Sequence, residues 1–164
     1  MNKELYNFVV ERRHHIYRKN ISLFFNKSMA VKERMAYRFE KICEEETPVI
    51  LEGELICFIR TIKNIPDIFS EEEWRDIKLK HYIHESGYMS NLSPDYERVI
   101  SVGLLEIRKN ADEYGKRVID AIIGLADRYR EEAIRQGRTD IAEVLGHIPR
   151  YGAENFREAL RIMA

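Results

Sequence analysis

Val118-Ile119-Asp120-Ala121-Ile122-Ile123-Gly124-Leu125-Ala126-Asp127-Arg128-Tyr129 decides the fold class of this chain. Val118, Ile119, Ile122, Ile123, Ala126 and Tyr129 recur at helical spacing and share one broad face, so the stretch reads as a core helix. The helical pattern reaches forward to Gln136 and back to Ser93, dividing around Asn110 to Gly115. Ser93-Pro94-Asp95 opens it with a capping serine, a proline at the first helical position and an acid in the first turn. Gly103 and Gly124 fall inside the pattern, where each costs about 1 kcal/mol against alanine. Close helix crossing is the expected compensation.

Downstream, Thr139 is expected to cap a short helix ending at Gly146, and Pro149 and Gly152 separate it from a last helix. There Phe156, Ala159, Leu160 and Met163 form an apolar stripe, with Arg157, Glu158 and Arg161 on the other side. No glycine, asparagine or proline stop follows, which predicts a helix cut short and a stripe that needs a partner surface.

Upstream, Ser70-Glu71-Glu72-Glu73 matches the capping box, and a short helix through Trp74 and Ile77 follows it. Val49 to Ile59, with Gly53 in its middle, reads as either an extended segment or an irregular buried run. A helix opening near Ser28 carries Met35, Phe39, Ile42 and Cys43 on one face until Thr47-Pro48 stops it. Leu5, Phe8, Val9 and Ile16 predict a first helix, and His81 to Ser93 reads as a loop or ordered connection. The expectation is a mainly α protein. Residues 1–164 are expected to form a single helical domain with long packed helices and at most one short extended segment.

A chain of 164 residues, 45% hydrophobic and 34% charged, suffices for one domain with a real core. Lys+Arg 27 against Asp+Glu 28 leaves no overall field that points to nucleic acid or an acidic membrane surface. Cys43 and Cys57, far apart and outside any C-x-x-C pair, fit a reducing compartment and read as structural. The polar start Met1-Asn2-Lys3-Glu4 is unlike a secretory signal, and no apolar run approaches membrane-spanning length. A cytoplasmic protein without nucleic-acid or membrane partners is therefore expected.

Local chemistry is sparse. His81, His84 and Glu85 would share a metal if their segment were helical; the bland reading is polar surface or a hydrogen-bonded core contact. The basic cluster from Arg12 to Lys19, with Tyr17 available to stack on a base, reads as a phosphate grip or as a solvated helix face. Phosphate-loop, dinucleotide and nucleophile-elbow patterns are missing from the sequence.

An ordered series of blocks is more specific. Pro48-Val49-Ile50-Leu51-Glu52-Gly53-Glu54-Leu55-Ile56, then Ser93-Pro94-Asp95-Tyr96-Glu97-Arg98-Val99-Ile100 with Gly103-Leu104, then Ile148-Pro149, then Phe156-Arg157-Glu158-Ala159-Leu160 run along the chain. From Ser28 to Ala164 the series resembles the N-terminal part of the glycyl radical enzymes of the pyruvate formate-lyase type. The resemblance implies a helical scaffold around a catalytic barrel, in a family of radical lyases and dehydratases of anaerobic metabolism. The family's glycyl radical is installed by an iron–sulfur S-adenosylmethionine activating enzyme, which would be a partner of the parent protein. The barrel cysteine and the radical loop lie C-terminal in that family and have no counterpart here, so the chain alone is not expected to be active. The resemblance also implies a substrate-lining loop before the Pro-Asp-Tyr block, placing Asn91, Ser90 and Tyr88 as candidate substrate-binding residues. Asn91 stands where many members carry a histidine, and asparagine can orient a substrate but cannot shuttle a proton. The bland reading of all three is a loop whose side chains satisfy local backbone groups. From a different class comes a stand-alone interaction module whose terminal apolar stripe binds a partner or a second copy.

Overall fold

The computed structural model describes residues 3, 19–24, 28–57, 59–64, 67–81 and 95–163. Along them run β1 (Lys19–Asn20), α1 (Val31–Glu45), β2 (Ile62–Asn64), α2 (Glu71–His81), α3 (Tyr96–Lys109), α4 (Glu113–Arg135), α5 (Thr139–His147) and α6 (Phe156–Met163). The fold is mainly α. Among the described residues its extended part is one parallel pair, with Lys19 opposite Ile62 and Asn20 opposite Asn64. The strand therefore falls after the Val49–Ile59 segment, whose described residues are neither helix nor strand. Among the described residues no helix is long and apolar enough to cross a membrane.

The core follows from α4. Its N-cap Asp112 accepts a hydrogen bond from the Gly115 amide at 2.8 Å, and Ile119, Ala126 and Ala133 are buried at every second turn. Alanines at two of these three positions let neighbours approach closely, and the two largest helix contacts are α4 with α1 and α4 with α5. Ala133 and Ile141 are fully buried and cluster with Ile50, Ala142 and Leu145. A second cluster of Ile21, Ile42 and Ile62 joins the strand pair to α1.

What ends α4 is Gly137, at φ 71°. The Gly137 amide donates to Ile134 O at 3.0 Å and the Arg138 amide to Ala133 O at 2.8 Å, the paired bonds of a Schellman stop. The positive φ is what only glycine adopts without strain. The chain can then reverse at once into α5, which packs Ile141, Ala142 and Leu145 back onto α4.

Gly103 interrupts α3 at φ 75°, ψ 169°, so this element is two helices meeting at a kink. The freed amides of Leu104 and Leu105 donate to Pro149 O at 2.9 Å and Arg150 O at 3.0 Å, and Ala153 N donates to Ile100 O at 2.7 Å. A Cβ on Gly103 would lie 2.3 Å from the Tyr151 carbonyl carbon, and one on Gly152 would lie 2.3 Å from Ser101 O. Two glycines thus let the segment between α5 and α6 thread through a break in α3, which replaces the expected helix crossing. Gly124 has no such role, because a Cβ there would meet nothing within 4 Å.

Helix starts separate into those read correctly and those misplaced. The capping box is present: Glu73 N donates to Ser70 Oγ at 3.2 Å and Ser70 N to Glu73 Oε2 at 2.8 Å. Asp95, not Ser93, caps α3, accepting from Arg98 N at 3.2 Å, and Ser93 and Pro94 lie outside the described residues. The N-cap of α1 is Ala30 and that of α5 is Arg138, both without a side-chain cap, so neither Ser28 nor Thr139 fills the expected position. On α1, Ile42 and Cys43 are buried as expected while Met35 and Phe39 lie at the surface. The helix ends at Glu45, before Thr47, whose helical conformation Pro48 disfavours.

The final helix is inverted relative to its sequence pattern. Glu158 and Arg161 are its buried residues, while Phe156 is 76% and Met163 43% exposed. Ala159 and Leu160 are half-buried.

Candidate functional site

Glu46, the residue after α1, has extended dihedrals that swing its side chain off the helix axis and into the protein. It is 1% exposed. Burying a carboxylate costs several kcal/mol unless its oxygens are satisfied. Here they are: the Thr61 amide and hydroxyl donate to Oε1, the hydroxyl at 2.7 Å, and Arg60 Nε donates to Oε2 at 2.9 Å. The Thr47 amide donates in turn to Thr61 Oγ1 at 2.9 Å. Residues 46 and 60–61 are thereby clamped together.

That clamp forms one wall of a cleft of about 230 Å³. Ile122, Leu125 and Ala126 of α4 line it together with Leu145, Ile148 and Ile162. Cys57, Tyr129, Arg60 and Arg161 complete the polar lining. Arg161 reaches across from α6, its Nη1 donating to Leu55 O at 2.7 Å and its Nη2 to Cys57 Sγ at 2.9 Å. The Tyr129 hydroxyl donates to Ile59 O at 3.3 Å. The irregular segment between α1 and β2 is therefore held from both sides by side chains remote in sequence.

Burial pushes the Cys57 thiol up, against the opposing pull of Arg161, so the thiol stays protonated at neutral pH. Burial likewise pushes the Tyr129 phenol up to about 12. Neither group is poised as a nucleophile or base. An apolar cleft with a few convergent polar groups is the usual form of a small-molecule site.

Beside it stands an ion network that seats α6. Asp140 accepts from Arg138 Nε at 2.9 Å and from Arg157 Nη2 at 2.9 Å, and the two guanidinia hold its carboxyl far below the usual range. Arg138 Nη2 also donates to Glu54 O at 2.6 Å. Asn155 caps α6 by accepting from Glu158 N at 3.0 Å, and Glu158 returns by accepting from Asn155 Nδ2 at 3.0 Å and Glu154 N at 2.8 Å.

Of the residues singled out from sequence, Asn91, Ser90 and Tyr88 lie outside the described residues, as do His84 and Glu85; His81 is the last residue of α2. Lys19, at the end of the basic cluster, pairs with Glu45 at 2.9 Å, and the rest of that cluster and Tyr17 lie outside the described residues. Cys43 is buried, its thiol pushed up to about 11 by burial, as a small hydrophobe would be. The residues that sequence reading missed are Glu46 and Arg161. Asn155-Phe156-Arg157-Glu158 carried a legible signal, an N-cap residue followed three positions later by glutamate. Comparison of the chain with protein-family models, with curated proteins and with solved structures finds no match.

Proposed function

We propose that this chain is a helical scaffold domain that works by docking another protein surface on the outward apolar face of α6, not by catalysis of its own. One observation carries the reading: α6 is tied to the domain by polar groups, Arg157 on Asp140 and Arg161 on Leu55 O and Cys57 Sγ, while Phe156 and Met163 are exposed. Exposed apolar groups at helical spacing are what an incoming surface covers. The protonated Cys57 and Tyr129 of the cleft support the non-catalytic half of the proposal.

The resemblance to the pyruvate formate-lyase-like glycyl radical enzymes gives that surface an occupant, the catalytic barrel. Under it the glycyl radical and the iron–sulfur S-adenosylmethionine activating enzyme act on other parts of the parent enzyme, and Asn91, Ser90 and Tyr88 line its substrate cavity. The stand-alone reading makes the occupant a partner protein or a second copy. Two measurements decide between them. An in-frame coding sequence beyond codon 164 that supplies a barrel cysteine and a C-terminal glycine loop supports the first. Without it, light scattering should find an oligomer of this chain that Phe156→Glu with Met163→Glu dissolves. A monomer at all concentrations with no coding continuation removes the barrel and the second copy as occupants, and the docking proposal itself falls if wild type and Phe156→Glu with Met163→Glu retain the same proteins in a pull-down.

A further inference from the structure

Arg161 is 8% exposed, and a guanidinium out of water ordinarily faces a carboxylate. Among the described residues it has none. Its acceptors are the Leu55 carbonyl and the Cys57 sulfur, both uncharged, since the thiol stays protonated. Glu158, one turn back on the same helix, is committed to Asn155 and to the Glu154 amide. Arg60, across the cleft, spends its Nε on Glu46. The cleft lining thus holds two cations and one carboxylate, and one positive charge is left over beside apolar side chains.

We propose that the cleft binds a small monocarboxylate with a compact apolar body, its headgroup between Arg161 and Arg60 and its hydrocarbon against Ile122, Leu125, Leu145 and Ile162. One excess charge matches a carboxylate rather than a phosphate dianion. An apolar lining suits a hydrocarbon tail rather than a sugar or a polar acid. Size also fits: a cavity of about 150 Å³ holds benzene, and the 230 Å³ here leaves room for a few more carbons and a carboxylate. Guanidinium donors remain on both arginines, because each offers five N–H groups and Arg161 uses two of them in the bonds described.

Octanoate, 1-octanol and acetate, titrated into the full chain and followed by two-dimensional amide NMR, test this. Octanoate should saturate a site whose shifts centre on residues 57, 60–61, 122–129 and 161–162. Octanol, with the tail and no charge, and acetate, with the charge and no tail, should each bind at least about tenfold more weakly. Arg161→Gln should bring octanoate down to the level of octanol. Should that variant fail to fold, Arg60→Gln, at a side chain 57% exposed, should still weaken octanoate several-fold without affecting octanol. Equal binding of octanoate and octanol, an unchanged affinity in Arg60→Gln, or shifts confined to residues outside the cleft lining overturns the proposal. The assay is independent of the outward face of α6, so its failure leaves the docking reading intact.

Discussion

The α4–α5 hairpin and α6 are neighbours built on opposite principles. In the hairpin every buried residue is apolar, Ala133, Ile141, Ala142 and Leu145 among them, and no charged side chain is buried. In α6, Glu158 and Arg161 face inward and the largest apolar side chain, Phe156, faces water. Apolar burial is non-directional and tolerates small shifts. A seat made of charge-assisted hydrogen bonds has one geometry, and it leaves the apolar face free. The hairpin thus holds the buried apolar cluster, while α6 leaves its largest apolar side chain in water.

Three measurements would break or sharpen that contrast. The largest effect belongs to the hairpin: Ile141→Ala, at a side chain with no exposure, should cost about 3 kcal/mol in urea denaturation. A loss under about 1 kcal/mol would mean that the hairpin is not the stabilising unit. Smaller is Asn155→Ala, which removes the α6 cap and should cost about 1 kcal/mol. Its amide exchange should quicken over 156–163 and stay unchanged over 113–147; uniform acceleration would show that the two regions unfold together.

The smallest effect is electrostatic. Asp140 has its folded-state pKa depressed, first by its hydrogen bond to Arg138, so its contribution is present above the unfolded value of about 3.9 and is lost as pH falls. Wild type should lose stability on acidification from about pH 5 more steeply than Asp140→Asn. Identical acid limbs in the two proteins would remove Asp140 from the seat of α6. Partial exposure of this carboxylate keeps the expected difference modest.

Legibility in the sequence followed the same divide. Val118 to Tyr129 announced a core helix because apolar spacing and burial coincide there, and Ser70 to Glu73 announced a helix start because the box is satisfied by residues three apart. Ala133, fully buried, is not legible as core, since alanine carries little hydrophobic signal and takes its place from the close approach of α5. Gly103 looked like a helix interior because nothing local tells that Pro149 and Arg150 supply the carbonyls that its break satisfies. Glu158 and Arg161 were assigned to the outer face by a rule that puts charge in water. Their burial depends on Asn155, Leu55 and Cys57, and two of those lie about a hundred residues away.

By itself, then, the sequence determined the helical class, the core helix and the chain breaks, since apolar periodicity, capping pairs and prolines act within a few residues of themselves. Only the tertiary structure decided which face of α6 turns inward, where the chain threads α3, and that Glu46, Arg60, Cys57, Tyr129 and Arg161 share one cleft. The reason is that the buried charges of Glu46 and Arg161 are tolerable only where partners from other segments meet them, and no local pattern encodes that meeting.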